Sequence, residues 1–289
     1  MEQVDVKIGI VVVVFNVDAA ALIGKLRCFE GRFAVTVVDN TPDASLNIDL
    51  PNVAYIPLRE NTGIANAQNV GIRNLLDRGS SHIVFFDQDS EYSLRYVEAI
   101  VSEYMRIASL RDDMFILGPT VVDKDSKEEY KSLSADGMAG ASYIIQRELI
   151  SSGTCVSASR ISQVGMLQSS MFIDYVDFEW CWRAESKGLV SVMTRNVTLP
   201  HKVGKGQKRV LGCVFIESTP FRYFYQYRNL IALCRLSYVP KSWKYKKLLR
   251  KVIELFVMPV ISKNGKDILK NSLRGIAAGL KFRWQDTNK

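Results

Sequence analysis

The chain has 289 residues, 47% hydrophobic, 24% charged and 10% aromatic, an ordinary globular composition that excludes disorder as the main state. Its longest apolar runs, residues 8–15 and 255–261, fall short of the roughly 18–20 residues a spanning helix needs. The net charge of +8 is concentrated: residues 241–289 hold 13 Lys and Arg against 3 Asp and Glu, while residues 1–240 hold 25 against 27.

The apolar, β-branched run at 8–15 predicts a buried parallel strand, and 19–28 has helical character. Strands are expected at 34–39, before the turn cluster Asn40-Thr-Pro-Asp43, and at 53–58. A helix over 64–76, a strand at 82–86, an amphipathic helix over 95–107 and a strand at 115–122 follow, with a further strand at 189–199. Repeated strand–helix–strand units predict a mostly parallel α/β sheet with helices on both faces. The segment 204–209, GKGQKR, reads as a basic, flexible loop.

The chain is expected to divide into a body, 1–240, and a basic helical extension, 241–289. In the latter, Trp243, Tyr245, Leu248, Leu249, Val252, Ile253, Leu255 and Phe256 recur at spacings of three and four with cations between them. Pro259 should end or kink this helix, and a second is expected over 267–282. Its cations suit a solvated face on helices packed against the body, or docking on an anionic membrane surface. Nucleic acid is not expected as a partner, because no recognition motif accompanies the charge. A homo-oligomer interface on these helices is a further possibility. The cysteines Cys28, Cys155, Cys181, Cys213 and Cys234 have no CxxC spacing and read as buried thiols in a reducing compartment. With Glu2 and Asp5 ahead of the first apolar run, no secretory signal is expected either, which points to the cytoplasm.

Ligands of such sheets bind beyond the carboxyl ends of the strands, which singles out Asn16, Asp39, Asn61 and Asp87. The stretch HIVFFDQDS carries a strand into Asp87 and Asp89; on extended chain both carboxylates would face one divalent cation, and otherwise they form a solvated turn. ENTGIANAQNVG places Asn61, Gly63 and Asn69 among small residues at a helix entrance, suited either to close approach of a phosphate or to tight helix–sheet packing. FIDYVDFEWCWR holds Asp174, Asp177 and Glu179 among aromatics, including Trp180: a candidate general base, or an acidic first helical turn. His82 opens a strand and reads as structural. His201 becomes a metal ligand only if the fold brings it to Asp87 and Asp89.

In this order, these residues resemble glycosyltransferase family 2, inverting enzymes of GT-A fold, and within it bacterial rhamnosyltransferases of O-antigen and other surface polysaccharides. The likeness covers residues 7–235. VVVVFN, with Asn16, resembles the first strand, and VVDNTPD the second, whose Asp39 would contact the nucleobase. ENTGIANAQNVGI is similar to the donor-side N-x-G-x-A-x-A-x-N-x-G segment, and FFDQDS to the metal-binding DxD. The 151–154 segment SSGT, with Gly153, and FIDYVDFEWCWRAESKG resemble the acceptor side, where Asp174, Glu179 and Trp180 would bind substrate and Asp177 falls at the general base. His201 matches a metal- or phosphate-contacting His, and PFRYFYQYRN, with Arg228, a rhamnosyltransferase-type segment. The chain departs from the pattern at VGMLQSSMF, where a G-G-F-D-E-type turn is common.

The resemblance implies a metal-dependent transferase holding Mg²⁺ or Mn²⁺ at Asp87, Asp89 and His201. Its donor would be dTDP-L-rhamnose, with a UDP-sugar as the alternative, and its acceptor a lipid-linked or surface glycan. Lys205, Lys208 or Arg209 would close over the diphosphate. The enzyme would work peripherally, at the inner face of the plasma membrane. The rival reading is a non-catalytic membrane- or polyanion-binding protein.

Overall fold

The computed structural model describes residues 6–91, 93–123, 135–136, 142–201, 207–210 and 213–287; at 123, 135–136, 201, 207–210 and 213–214 only the backbone is described. In chain order the first half comprises β1 (Ile8–Val14), α1 (Ala19–Leu26), β2 (Ala34–Pro42), β3 (Val53–Arg59), α2 (Ile64–Asp77), β4 (His82–Asp87), α3 (Leu94–Ala108) and β5 (Met114–Asp123). There follow β6 (Ala135–Asp136), β7 (Tyr143–Gln146), β8 (Cys155–Ser157), α4 (Ala158–Val164), α5 (Val176–Glu185), β9 (Val190–His201), β10 (Gln207–Val210) and β11 (Cys213–Ile216). Three helices close the chain: α6 (Pro220–Cys234), α7 (Lys241–Ile261) and α8 (Gly265–Leu280).

Nine described strands form one sheet in the order β3-β2-β1-β4-β8-β5-β9-β7-β6. β1, β2, β3 and β4 run parallel, as do β5 and β9, whereas β8 is antiparallel to both β4 and β5 and β7 is antiparallel to β9. The period-two alternation of β1 splits its side chains between the two faces. Val11 and Val13 enter a core with Ala65, Ala67 and Ile72 of α2 and Trp180 of α5. Ile10, Val12 and Val14 enter another with Leu22 of α1 and Val97 and Ile100 of α3. Burial on both faces explains why this strand is apolar throughout.

The segment 204–209 is not a loop throughout. Gln207–Val210 pairs antiparallel with β11 in a separate two-stranded ribbon, and 202–206 lies outside the described residues. The expectation of buried thiols is not met at Cys28, which is exposed.

The C-terminal helices are continuous with the body. Tyr223 and Tyr227 of α6, Met258 of α7 and Ile268 of α8 share a core, and α6 carries Leu230 and Leu233 into the main one. Trp243 stands edge-on to Trp182 at 4.7 Å, and Phe282 and Trp284 join the same core. The C-terminal strap is stitched to the body by Met166 N–H donating to the Thr287 carbonyl at 2.8 Å and Gln168 to the Gln285 carbonyl at 3.0 Å. α7 passes through Pro259 and ends at Ile261, just beyond the residue expected to break it.

The cations of α7 divide by face. Lys251 is buried, ion-paired with Glu254 at 2.8 Å and set against the rings of Tyr227 and Tyr223. Lys247 lies over the Tyr175 ring, and burial together with Lys251 and Arg250 pushes its pKa down to about 8. The outer face shows Tyr245 (73% exposed), Leu249, Val252, Phe256 (71%) and Val260 (82%), interleaved with exposed Lys246 and Arg250.

Candidate active site

The parallel strands β1, β2 and β4 end at one edge, and a cavity of about 370 Å³ opens there, lined by Val13, Val14 and Phe15, Asn40, Asn61 and Gly63, Asp87 and Gln88. Its other wall is Phe172, Ile173, Thr219, Phe221 and Arg222, from the turn before α5 and the start of α6.

β4 stops at Asp87, so Gln88 and Asp89 lie in a turn and not on extended chain. The turn is pinned from several sides. Gln88 accepts from the Phe15 N–H at 2.7 Å, Lys25 Nζ donates to the carbonyls of Gln88 and Ser90, and Ser90 Oγ meets Ser152 Oγ at 2.8 Å. Asp87 is half-buried and faces the cavity, whereas Asp89 is exposed. Neither Lys25 nor Gln88 stands out in the sequence, because their roles come from contacts made across 63 to 73 residues.

β8 pairs with β4 and carries the 151–154 segment alongside its end: Gly153 N–H donates to the Phe85 carbonyl at 2.7 Å, and the Gly153 carbonyl accepts from Tyr96. This pairing sets Ser151 against Asp177. The Ser151 N–H donates to one Asp177 carboxylate oxygen at 3.2 Å, and the Phe178 N–H to the other at 3.1 Å. Burial, opposed by these N–H donors and reinforced by the charge of Asp87, pushes the Asp177 pKa up to about 6. Asp87, Ser151 and Asp177 are thus gathered from three separate segments.

The acidic trio splits. Asp174 and Tyr175 both have positive φ, and α5 begins only at Val176, so Asp174 shares no helical face with Asp177. Asp174 instead accepts from Arg222, at 2.5 Å to Nη2 and 3.2 Å to Nε. Glu179 points into the core, fully buried, where Arg183 grips both its oxygens and Tyr238 donates at 2.7 Å. Trp180 is buried too, giving its indole N–H to the Gly165 carbonyl and packing edge-on against Phe85 and Phe115.

The remaining expected residues fall on both sides of the cavity wall. Asn16, at positive φ, is exposed next to Phe15, and its N–H donates to Thr41 Oγ1. Asp39 is buried and accepts from Tyr55 Oη at 2.9 Å and the Thr41 N–H at 3.0 Å. Asn61 accepts from Asn40 Nδ2 and the Gly63 N–H, tying the end of β2 to the entrance of α2. Asn69 is buried, held by Leu167 and Ser169, and lines a second hollow of about 460 Å³ at the C-terminal strap. Arg228 spends its donors on the Ser170 and Met171 carbonyls and stacks over Tyr225. His201 ends β9 opposite Asp123, and its side chain lies outside the described residues. His82 is buried within β4, edge-on to Tyr104.

Gly63 separates the two roles of the small-residue segment. Its φ is +85°, and a Cβ there would stand 2.5 Å from the Phe172 carbonyl oxygen, so glycine lets the turn before α5 close onto the mouth of α2. Further along α2, a Cβ on Gly71 would meet Val11 of β1 at 2.6 Å, which is helix–sheet packing.

No family model matches the chain. The dTDP-rhamnosyl transferase RfbF of Shigella flexneri is 30% identical over 294 residues, covering 94% of this chain and 97% of that protein. Among solved structures, S. aureus TarS 1-349 aligns with a TM-score of 0.54 and 10% identity over 93% of this chain and 81% of that one. GalNAc-T7, solved with UDP, GalNAc and Mn²⁺, aligns with a TM-score of 0.53 and 11% identity; the match covers 86% of this chain but only 54% of GalNAc-T7. A mixed α/β sheet with its cavity at the strand ends, a shared fold with these transferases and near full-length similarity to RfbF place the chain among the GT-A glycosyltransferases, in the rhamnosyltransferase-like family to which RfbF belongs.

Proposed function

We propose that this glycosyltransferase moves L-rhamnose from dTDP-L-rhamnose to a hydroxyl of a lipid-linked glycan, with inversion at the anomeric carbon and Asp177 as the general base. The observation that carries this reading is the Asp177 carboxylate, raised to about 6 and braced by the Ser151 N–H beside Asp87. A carboxylate so tuned is ionised at neutral pH yet basic enough to take a hydroxyl proton in the transition state. The acceptor oxygen forms its bond to the anomeric carbon as the bond from that carbon to the diphosphate breaks. The hydroxyl proton passes to Asp177, and dTDP leaves from the opposite face. Single displacement needs no enzyme nucleophile.

The donor would lie along the strand ends, with Asp39, Asn61 and Gly63 toward the nucleoside. Asp87 and Asp89, with His201, would hold Mg²⁺ or Mn²⁺. The Asp87 and Asp89 carboxylates are the hard oxygen ligands those ions favour; among the described residues no three acidic, Cys or His side chains form a group that could hold a metal by itself. When bound, the cation supplies positive charge against that building on the leaving group.

The outer face of α7 and the exposed Leu269, Leu273 and Leu280 of α8, with their surrounding cations, suit an anionic membrane surface where a lipid-linked acceptor would lie. No helix among the described residues is long and apolar enough to cross a membrane.

Thermal shift with dTDP, UDP and GDP, each with and without Mn²⁺, tests the donor. Ligand at about 100 times its dissociation constant adds about 2.7 kcal/mol, a shift of several degrees. A metal-dependent response strongest with dTDP is expected. A response to UDP alone would reassign the donor, and chelation with EDTA should abolish the shift.

A further inference from the structure

The cavity wall opposite in origin to the strand ends is aromatic. Phe172 stacks on Tyr225 with ring centroids 4.5 Å apart and planes 13° apart, and Phe221 stands edge-on to both, at 5.8 Å and 73° and at 4.9 Å and 61°. Phe221 lines the cavity yet is 49% exposed. This group is built as a rigid surface. Phe172 sits at φ +63°, an outlier for a bulky residue, and its place is made by the missing side chain of Gly63. From behind, Arg228 lies 4.6 Å from the Tyr225 ring centre and donates to the carbonyls of Ser170 and Met171, clamping the turn that carries Phe172. At the rim the exposed Arg222 pairs with Asp174, offering donors and acceptors next to the rings. The same turn leads into Asp177.

An exposed aromatic ring face edged by polar groups complements a pyranose ring, which has an apolar C–H face and a hydroxyl edge. The geometry points to Phe221, backed edge-on by the stacked Phe172 and Tyr225, as an acceptor platform, on which the sugar ring that receives the transferred residue stacks, with Arg222 and Asp174 meeting its hydroxyls. This rests on the proposed transfer reaction, which assigns the strand ends to the donor and leaves this wall for the acceptor.

Saturation-transfer NMR with methyl α-L-rhamnopyranoside and methyl β-D-glucopyranoside as probes tests it. The protein used is Asp177→Asn loaded with dTDP-L-rhamnose and the diamagnetic Mg²⁺, so that the donor sugar position is filled and not consumed. Transfer to the C–H protons of at least one pyranoside is expected. Adding Phe221→Leu, which keeps the bulk and removes the ring, should weaken probe affinity about five- to tenfold, and adding Phe221→Tyr should preserve it. Phe221 is half exposed, so neither change threatens folding, and unchanged melting temperatures would verify this. Absence of any signal, equal binding by the Phe221→Leu protein, or a signal seen only without donor would each overturn the platform. Failure of dTDP-L-rhamnose to shift the melting temperature before any pyranoside is added would instead count against the donor assignment, so the two failures are read separately.

Discussion

Asp177 and Glu179 stand two residues apart in the same helical turn, and their surroundings give them opposite uses. Glu179 is locked by Arg183 and Tyr238 in the core, so Glu179→Ala would strand a buried guanidinium and should cost about 3–5 kcal/mol, seen by denaturant unfolding. Asp177 is only partly buried, held by the Ser151 N–H near Asp87, which lines the cavity. Its Asn variant should lose about 10²- to 10⁴-fold in turnover while still binding nucleotide, as judged by transfer assay and thermal shift. Because its pKa is raised from 3.8 to about 6, the folded state holds the proton more tightly than the unfolded chain. That contribution to stability is complete below the unfolded value and is lost as pH rises through about 6. Ligand-free Asp177→Asn should therefore melt higher than the wild type at pH 8, and the difference should fade toward pH 4. Activity follows the opposite limb, rising with pH as the base ionises. The sequence shows both carboxylates equally. Which one meets solvent is set by helix phase and by the pairing of β8 with β4, neither of which is readable from two residues.

At the scale of elements, the junction between α2, the turn before α5 and α6 shapes the cavity. Gly63→Ala would force a Cβ to within 2.5 Å of the Phe172 carbonyl at a φ that alanine resists. About 1–3 kcal/mol of destabilisation is expected, with weaker nucleotide response, measured by urea unfolding and thermal shift. The first five strands and the helices among them follow from their hydrophobic periods, with boundaries displaced by no more than about three residues. β6, β7, β8 and the β10–β11 ribbon escape such a reading, since strands of two to four residues carry too short a pattern and exist only through distant partners. β8 is the costly omission, because it brings Ser151 to Asp177.

For the molecule as a whole, the helices beyond residue 240 both complete the core and display an apolar outer face. Trp243 bridges Tyr175 and Trp182, and Trp243→Ala should cost about 3 kcal/mol in denaturant unfolding. Deletion after Pro240 removes Trp243, Phe282 and Trp284 together, and should yield an unstable protein in place of a soluble, nucleotide-binding body. Membrane attachment is better tested on the outer face. The double variant Leu249→Glu with Phe256→Glu should keep its melting temperature and lose flotation with vesicles containing anionic lipid. The wild type should float less as salt rises. A wild type that ignores such vesicles but dimerises through this face would assign it to a second copy.

The amphipathic period and the cationic excess of α7 are visible in the linear chain, as are the parallel α/β half, the two carboxylates Asp87 and Asp89 at the end of β4 and the likeness to the family. Local periodicity and motif order need only neighbours along the chain. The inward turn of Lys247 and Lys251, the retreat of Glu179 and Trp180 into the core, and the meeting of Asp87, Ser151 and Asp177 depend on contacts between segments as many as 95 residues apart. Burial and strand pairing sort chemically identical side chains into core and site, and they are properties of the packed chain.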